Sequence, residues 1–332
     1  PSGNDWSNDG KSEAKPFRTL QRAANVVNPG DVVSLLNGTH ANPDPWGAVM
    51  ELRRSGTPSR WITIRPQPGH KPVVYVRNWS GIHVRDAGYI LIEGLTVRGN
   101  LLEVSYAEAW NQRFNLGNPL PAGNGILVKP GDRASRIPHH VVIRDNTVYE
   151  VPGAGIMAGH ADYVLIERNT VHHTSWWSPY GQSGISVWES KNFDWSTGYK
   201  IFLLDNTVYE VDNKVPFVFV GRITDGHAMV VDQNQNTARF PSRSPYVGRT
   251  LVAGNTTYGI GGRGFNTFQS KNVDLLGNRL LSTTQNPAHP LKATVTVLQS
   301  ANVLIRDNVM DNPKPHIRQS ANVTSDVSAP GV

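Results

Sequence analysis

The chain has 332 residues, with 32 Lys and Arg against 26 Asp and Glu, a formal net charge of +6, and no cysteine. The lack of cysteine excludes disulfides and thiol chemistry, and no apolar run approaches the roughly 18 residues of a membrane-spanning helix. The positive charge forms no Lys/Arg block. It favours a polyanionic partner, and charge alone leaves an acidic polysaccharide and a nucleic acid both open.

Internal repeats cover most of the chain, so we predict a single elongated domain over residues 1–332. We expect a cap helix over 15–30, solenoid rungs over about 31–312 and a tail over 313–332. The sequence opens at Pro1 with a polar segment in place of a basic and then apolar leader. We therefore expect a secreted or periplasmic bacterial protein whose signal peptide is already removed, and a monomer with no membrane partner.

The first predicted element is an amphipathic helix in PFRTLQRAANVVNPG. Apolar residues recur at helical spacing from Phe17 to Val27, and Pro29 followed by Gly30 ends the pattern. Such a helix would cover the open end of a solenoid, whose exposed strand edge is otherwise an aggregation hazard.

A ten-residue frame recurs six times in the second half of the chain. Its copies are VVIRDNTVYE (141–150), VLIERNTVHH (164–173), IFLLDNTVYE (201–210), TLVAGNTTYG (250–259), VDLLGNRLLS (273–282) and VLIRDNVMDN (303–312). The first, third and eighth positions are mostly aliphatic and point inward, so two short strands flank a central Asn. The shortest step between copies is 23 residues, too short for a βαβ unit but typical of one rung of a parallel β-helix.

The central Asn of each frame stands where a strand disfavours it. These residues are Asn146, Asn169, Asn206, Asn255, Asn278 and Asn308. We predict that they stack at one corner of the solenoid, each amide bonding to its neighbours, because such amide ladders stabilise stacked β-structure. Their role is interpreted as structural.

A second strand follows each frame. These strands lie in NGILVK (124–129), AGIMAG (154–159), SGISVW (183–188), HAMVVD (227–232), RGFNTF (263–268) and ATVTVL (293–298). Stacking them in register places His227 beside Arg263, one rung apart, and puts Lys129, Trp188 and Asp232 in one solvent-facing column.

The segments PFRTLQRAANVVNPGDVVSLLNGTH, SGTPSRWITIRPQPGHKPVV and YILIEGLTVRGN resemble the amino-terminal half of secreted right-handed β-helix polysaccharide lyases of the pectate, alginate and chondroitin lyase-like groups. With the rungs, the resemblance covers roughly residues 15–312. It implies an all-β fold, a single-stranded right-handed parallel β-helix with an amino-terminal capping helix. It also implies an acidic polysaccharide substrate, although the same scaffold carries hydrolases, epimerases and phage spikes.

The longer steps between frames indicate loops. Steps of 37 and 49 residues fall between Asn169 and Asn255, and a further insertion lies at 103–123. Long loops on a rigid scaffold commonly build a binding site, so we expect a cleft over the central rungs.

A lyase acting on a uronate must remove the proton next to the carboxylate while the developing charge is neutralised. We assign carboxylate binding to Arg263, whose guanidinium can grip it with two hydrogen bonds, and the base to His227. Asp225 would orient His227 or help to hold a cation. A structural alternative remains open for each residue. His227 is also explained as a surface turn histidine, and Arg263 as an ion-pair partner of Asp225 or Asp232 at the edge of the solenoid. Asp225 and Asp232 are also explained as solvated carboxylates.

Calcium-dependent pectate lyases that resemble this chain have a DG turn followed by a Lys, and an acid-rich turn one rung later. Asp225 and Gly226 match the first turn, but Val230 stands where the Lys would be sought and GGRGF replaces the acid-rich turn. The sequence therefore establishes no cofactor, and Ca²⁺ stays an option. Lys214 and Lys129 are alternative bases, and Tyr180 is a candidate proton donor.

Five residues are candidates for substrate binding: Trp188, Trp177, Lys129, His173 and Arg222. Trp188 lies in the outward column, where an indole would stack on a sugar face. The loop WWSPY, with Trp177, can either present its indoles to sugars or pack them over the solenoid. His173 is also explained as a simple turn residue.

Two other functions remain open. One is a glycoside hydrolase with Asp225 and Asp232 as the two carboxylates, whose separation would decide the stereochemistry. The other is a non-catalytic glycan-binding or spike-like solenoid. Nucleic-acid binding is disfavoured, because the basic residues form no stripe and no recognition motif is present.

Overall fold

The computed structural model describes residues 3–131, 136–236 and 244–326. The chain folds as a right-handed parallel β-helix, in which three sheets of parallel strands enclose one aliphatic core. We name the sheets 1, 2 and 3 in the order in which each rung visits them. This confirms the predicted fold class.

Sheet 1 contains the first strand of each frame. Its ten strands are Val32–Leu35, Ile62–Pro66, Gly88–Glu93, His139–Arg144, Asp162–Glu167, Tyr199–Leu204, Arg249–Ala253, Lys271–Leu276, Ala301–Arg306 and Ala321–Asp326. Burial alternates along them as period-two side chains require: Val164 and Ile166 are buried, whereas Leu165 between them is only half-buried.

Sheet 2 contains the second strand of each frame. Its nine strands are Gly38–His40, Pro72–Val76, Thr96–Gly99, Thr147–Val151, Thr170–Thr174, Thr207–Val211, Thr256–Tyr258, Arg279–Leu280 and Val309–Met310. On its outer side, the rings of Tyr149, His172, Tyr209 and Tyr258 stack in succession with centroids 4.6–5.1 Å apart.

Sheet 3 contains the strands that follow each frame. They are Ala48–Leu52, Ser80–Val84, Asn124–Val128, Ile156–Gly159, Ile185–Trp188, Met229–Asp232, Phe265–Phe268, Val295–Leu298 and His316–Arg318. Ile185 pairs with Met229, and Met229 pairs with Phe265, so the predicted register holds across the central rungs.

The cap helix spans Leu20–Val26, shorter than the predicted 15–30. Thr19 begins it by accepting a hydrogen bond from the backbone N–H of Arg22, and Val27 ends it in an extended conformation. Leu20 and Ala24 are buried against the first rung, which is the covering role that the pattern predicted. No helix in the three described ranges is long and apolar enough to cross a membrane.

The predicted end of the rungs near residue 312 is wrong. His316–Arg318 pairs with the strand Val295–Leu298, and Ala321–Asp326 pairs with Ala301–Arg306. The solenoid therefore continues into the expected tail, of which residues 327–332 lie outside the described part of the chain.

The Asn ladder is confirmed, and all six side chains are buried between sheets 1 and 2. The Nδ2 of Asn169 donates to Oδ1 of Asn206 at 3.0 Å, and the backbone N–H of Asn169 donates to the same oxygen at 3.0 Å. Asn206 repeats both bonds toward Asn255. The residue before each Asn is left-handed, as at Asp205 with φ 53° and at Gly254 with φ 68°, so these six rungs turn this corner in the same way.

A second polar ladder, which the sequence analysis did not predict, lies between sheets 3 and 1. The backbone N–H of Ser190 donates to Asn234, that of Asn234 donates to Ser270, and that of Ser270 donates to Ser300. Its sequence signal is the repeat QSKNV (269–273), QSANV (299–303) and QSANV (319–323).

We expect Asn206→Ala to lower the free energy of unfolding by about 2–3 kcal/mol, because buried donors of Asn169 and the acceptor of Asn255 lose a partner. Asn308→Ala should cost about 1–2 kcal/mol, because it breaks the ladder on one side only. Urea denaturation measures both, with the exposed variant Asp205→Asn as the control. A cost for Asn206→Ala no greater than that of the control would contradict the role of the ladder.

Candidate functional site

Long loops converge at the corner between sheets 2 and 3, where they surround a groove of about 590 Å³. They occupy residues 100–123, 175–184, 212–228, 259–264 and 281–294. The groove is lined by Tyr106, Trp110, Trp176, Glu210, Asp212, Lys214, Pro216, Ile223, Gly259, Gly261, Gln285, Asn286, Pro287 and Ala288. A cleft over the central rungs was predicted, and the structure confirms it.

The floor of the groove presents Asp212 and Lys214, which follow directly on the strand Thr207–Val211. Side chains alternate here, so Val211, Asn213 and Val215 are buried while Asp212 and Lys214 point outward. The carboxamide of Asn213 donates to the backbone oxygens of Ser175 at 2.7 Å and Gln182 at 3.0 Å. These bonds fix the segment that presents the two charges.

Asp212 is held by the neighbouring rungs. Nδ2 of Asn286 donates to Oδ1 of Asp212 at 2.8 Å and to the backbone oxygen of Asn213 at 2.8 Å. The carboxylate lies against Gly261, where a Cβ atom would come within 1.9 Å of Oδ1. Burial raises the pKa of Asp212, while the bond from Asn286 and the charge of Lys214 oppose the rise.

Lys214 lies on an indole. Its Nζ is 3.4 Å from the ring centre of Trp176, and its backbone N–H donates to the Trp176 carbonyl oxygen at 2.9 Å. Burial lowers the pKa of Lys214, and the charge of Asp212 partly opposes this. No carboxylate in the described ranges lies within ion-pair distance of Nζ.

One wall of the groove is a short helix, Tyr106–Gln112, inside the insertion that sequence analysis treated as a loop. Its buried Ala109 packs with Trp177 and Val215 in a small separate core, so Tyr106 and Trp110 remain exposed toward the groove. The guanidinium of Arg113 lies 4.1 Å from the ring centre of Trp110.

His227 and Arg263 are adjacent on neighbouring rungs, as predicted, but both are buried, with exposures of 0% and 3%. The backbone N–H of Arg263 lies 3.1 Å from Nδ1 of His227 and points at it, so each ring nitrogen of His227 faces an N–H donor of Arg263. Nε2 lies 3.9 Å from Oδ1 of Asp225 and 3.1 Å from a guanidinium nitrogen of Arg263. Burial lowers the pKa of His227 further, so the ring is neutral.

This geometry does not fit the roles predicted for the pair. His227 has no free lone pair and no exposed surface, so it cannot take a proton from a polysaccharide. Arg263 lies beneath the groove, with Nε buried and unpartnered, so it cannot grip a substrate carboxylate directly. Together with His289, whose ring centre is 5.5 Å from that of His227, they support the loops from below.

Asp225 is the partly exposed member of this cluster, with 22% of its side chain accessible. It accepts a hydrogen bond from Oγ1 of Thr224 at 2.6 Å, and burial raises its pKa to about 6 while Arg263 opposes the rise. Its Oδ1 lies 3.9 Å from Nε2 of His227, too far for a hydrogen bond, so the orientation of His227 by Asp225 stays a prediction.

Other predicted residues have different surroundings. The Trp177 indole is buried and donates to the Leu101 carbonyl oxygen at 2.8 Å, so it packs the insertion and does not face sugars. The Tyr180 hydroxyl donates to the Leu116 carbonyl oxygen and is therefore not a free proton donor. His173 contacts Glu210 at the rim, and the exposed Arg222 precedes the groove residue Ile223.

Trp188, Lys129 and Asp232 do form one outward column, but at the opposite edge of sheet 3. The strand Met229–Asp232 alone extends for roughly 10 Å, and Asp225 lies beyond its other end. Such a distance exceeds the roughly 5–5.5 Å of a retaining carboxylate pair, so Asp225 and Asp232 do not form one.

Sequence reasoning missed Asp212, Glu210 and Asn286. Asp212 and Lys214 belong to EVDNK, which opens the longest insertion directly after a frame, and that position is the available signal. No group of three His, Asp or Glu residues in the described ranges could hold a metal ion. A calcium requirement remains an untested prediction.

Neither a protein-family model nor a curated protein matches this sequence. Solved structures are nevertheless similar in fold. XylC in complex with xylose has a TM-score of 0.54 at 10% identity, over 98% of this chain and 70% of that chain. Pectate lyase Pel9A has a TM-score of 0.50 at 13% identity, over 100% of this chain and 77% of that chain. The chain shares their parallel β-helix architecture.

We expect Gly261→Ala to destabilise the protein by about 1–3 kcal/mol, because the new methyl group would overlap the Asp212 carboxylate. Thermal unfolding measures this, with Gly198→Ala as the control, since its nearest neighbour would be 3.9 Å away. Adding Asp212→Ala should restore most of the lost stability. A double variant as unstable as Gly261→Ala would contradict the contact.

The raised pKa of Asp225 predicts a pH-dependent stability. Between about pH 4 and 6 the folded state holds a proton that the unfolded chain releases, so the contribution of Asp225 to the free energy of unfolding falls as pH rises. The stability of the parent protein relative to Asp225→Asn should therefore decrease from about pH 4.5 to 7, by at most about 3 kcal/mol. Urea denaturation at several pH values tests this, and an increase over that range would contradict it.

Proposed function

We propose that this protein is a carbohydrate-active enzyme that cleaves an acidic, uronate-containing polysaccharide by β-elimination in the groove. The observation that carries the proposal is Lys214, a desolvated amine on Trp176 with no described carboxylate at ion-pair distance, in a groove with two further exposed aromatic rings. Aromatic rings bind the apolar faces of sugars, and a lysine with a lowered pKa can act as a base.

In this proposal the Lys214 amine removes the proton next to the uronate carboxylate. The electron pair left behind forms a carbon–carbon double bond, and the bond to the neighbouring glycosidic oxygen breaks. Asp212, whose raised pKa retains a proton more readily, would protonate the departing oxygen. Arg222 and Arg113 are the rim cations assigned to neutralise the substrate carboxylate.

The buried cluster under the groove has a positioning role in this proposal. His227 bonds to the backbone of Arg263, and His289 contacts the Thr224 carbonyl oxygen at 3.0 Å. These contacts tie together the loops that carry Asp212 and Asn286. They replace the direct catalytic roles first considered for His227 and Arg263.

The names of the solved structures agree with a carbohydrate ligand, since one is a pectate lyase and the other was determined with xylose. Secretion or a periplasmic location, a monomeric state and the absence of a nucleic-acid partner belong to the same proposal. Calcium is not assigned a step.

A glycoside hydrolase is the second candidate, and one observation favours it. Asp212 and Glu210 line the same groove, and Asp212 has the raised pKa of a general acid. Glu210, which is half exposed and contacts His173, would be the second carboxylate. This pair replaces Asp225 and Asp232.

The test is absorbance at about 235 nm, where the conjugated product of elimination absorbs, with a panel of polyuronates and with either calcium or chelator. We expect absorbance to rise with at least one polymer, and Lys214→Ala to reduce the rate by about 10²–10⁴-fold. Lys71→Ala, an exposed lysine on an early rung, is the matched control and should retain full activity.

Other outcomes select another function. New reducing ends without absorbance, abolished by Asp212→Asn, would favour the hydrolase. Tight polysaccharide binding without any cleavage would favour the non-catalytic solenoid. An unchanged elimination rate in Lys214→Ala would contradict the assigned base.

A further inference from the structure

The outward column at the far edge of sheet 3 contains an aromatic ring and a cation that the groove does not use. Trp188 ends the strand Ile185–Trp188, whose other end borders the groove loops. Three residues of strand rise separate the two ends by roughly 10 Å. The column is therefore not part of the groove.

The Trp188 indole lies across Gly159 of the preceding rung. The two residues are paired in sheet 3, and a Cβ on Gly159 would be 3.3 Å from Cε3 of the indole. Gly159 has no left-handed φ that would call for glycine, and glycine inside a strand costs stability. The space that it leaves is filled by the ring, which is laid against the sheet.

A cation accompanies this ring. Nζ of Lys129 is 5.6 Å from the centre of the Trp188 ring, and the His160 ring centre is 4.6 Å from it. No carboxylate in the described ranges lies within ion-pair distance of Lys129. Both Trp188 and Lys129 are half-buried, so part of each side chain is accessible.

We propose that Trp188 and Lys129 form a second binding subsite, specific for an anionic sugar, across sheet 3 from the groove. A ring held against the sheet offers its accessible part to a sugar, and an ammonium beside it, with no described carboxylate at ion-pair distance, favours a carboxylate or sulfate on that sugar. The groove and the subsite have the same type of construction, since Lys214 lies on Trp176 as Lys129 lies on Trp188.

The separation of the two sites determines how long a saccharide must be to contact both. A chain that reaches both must span more than one sugar unit, so the subsite selects polymers over short oligosaccharides by adding a second contact to the same molecule. This inference rests on the proposed function only for the class of ligand, an acidic saccharide.

The experiment measures binding of the polyuronate that gives the largest response in the panel, and of the corresponding disaccharide, in the Lys214→Ala background so that neither is consumed. We expect Trp188→Ala to weaken polymer binding about tenfold and to leave disaccharide binding unchanged. Lys129→Gln should weaken polymer binding about threefold, with an effect that fades at high salt.

Gly159→Ala is the variant that keeps the indole and displaces it, and it should also weaken polymer binding. Thermal unfolding of each variant shows whether the fold is intact. If Trp188→Ala is unfolded, Lys129→Gln and Gly159→Ala decide the question in its place.

The outcomes separate the two claims. Equal binding of polymer by the parent and by folded Trp188→Ala and Lys129→Gln variants overturns the second subsite and leaves the groove function standing. A parent protein that binds no acidic saccharide overturns the proposed function and the subsite together. Equal losses for polymer and disaccharide would also overturn the subsite, since they would place Trp188 in the groove.

Discussion

The amide ladder between sheets 1 and 2 is the constraint on which the rest of the structure depends. Each buried Asn before Asn308 donates its side chain and its backbone N–H to the Asn of the next rung, as between Asn169 and Asn206, and the residue before it takes a left-handed conformation. A rung that inserted a residue at this corner would leave several buried polar groups unpaired, at about 1–3 kcal/mol each. From Asn146 onward, two residues join sheets 1 and 2 in each rung, and variation in rung length is therefore confined to the other two corners.

The groove is a consequence of that confinement. Insertions of different length accumulate between sheets 2 and 3, and the in-register strands bring them side by side. Asp212 from one loop then meets Asn286 from a loop more than seventy residues later, at 2.8 Å. Such a contact is precise because both loops start from strands whose register the ladders fix.

Burial sets the chemistry of the groove floor. It raises the pKa of Asp212 and lowers that of Lys214, so both groups shift toward their neutral forms, while their mutual attraction opposes each shift. A group that gives up a proton and a group that takes one are what the proposed elimination needs.

The periodic features could be predicted from the sequence, because identical environments repeat at a readable spacing. The Asn ladder, the sheet register and the adjacency of His227 and Arg263 all follow from aligning the repeats. The contacts of the insertions could not be predicted, because they depend on packing between segments with no common pattern. Trp176 and Trp177 are neighbours in sequence, yet one lines the groove and the other fills a small core.

The burial of His227 could not be predicted from the sequence for a related reason. Register placed it correctly beside Arg263, but its burial depends on Gly262 and on His289 from a later loop. The need for glycine at position 261 is likewise clear only once the Asp212 carboxylate is known to lie against it. Loop glycines after a strand, such as those in GGRGF, are thus a signal of close approach, although they do not name the group that approaches.

The most direct test of the central claim is a crystal structure of the Lys214→Ala protein with an acidic oligosaccharide longer than a disaccharide. Our account predicts electron density for sugar rings in the groove, against Trp176 and Trp110, with a carboxylate-bearing ring above Asp212. Density confined to another face of the solenoid, with the groove empty under conditions that saturate binding in solution, would contradict it.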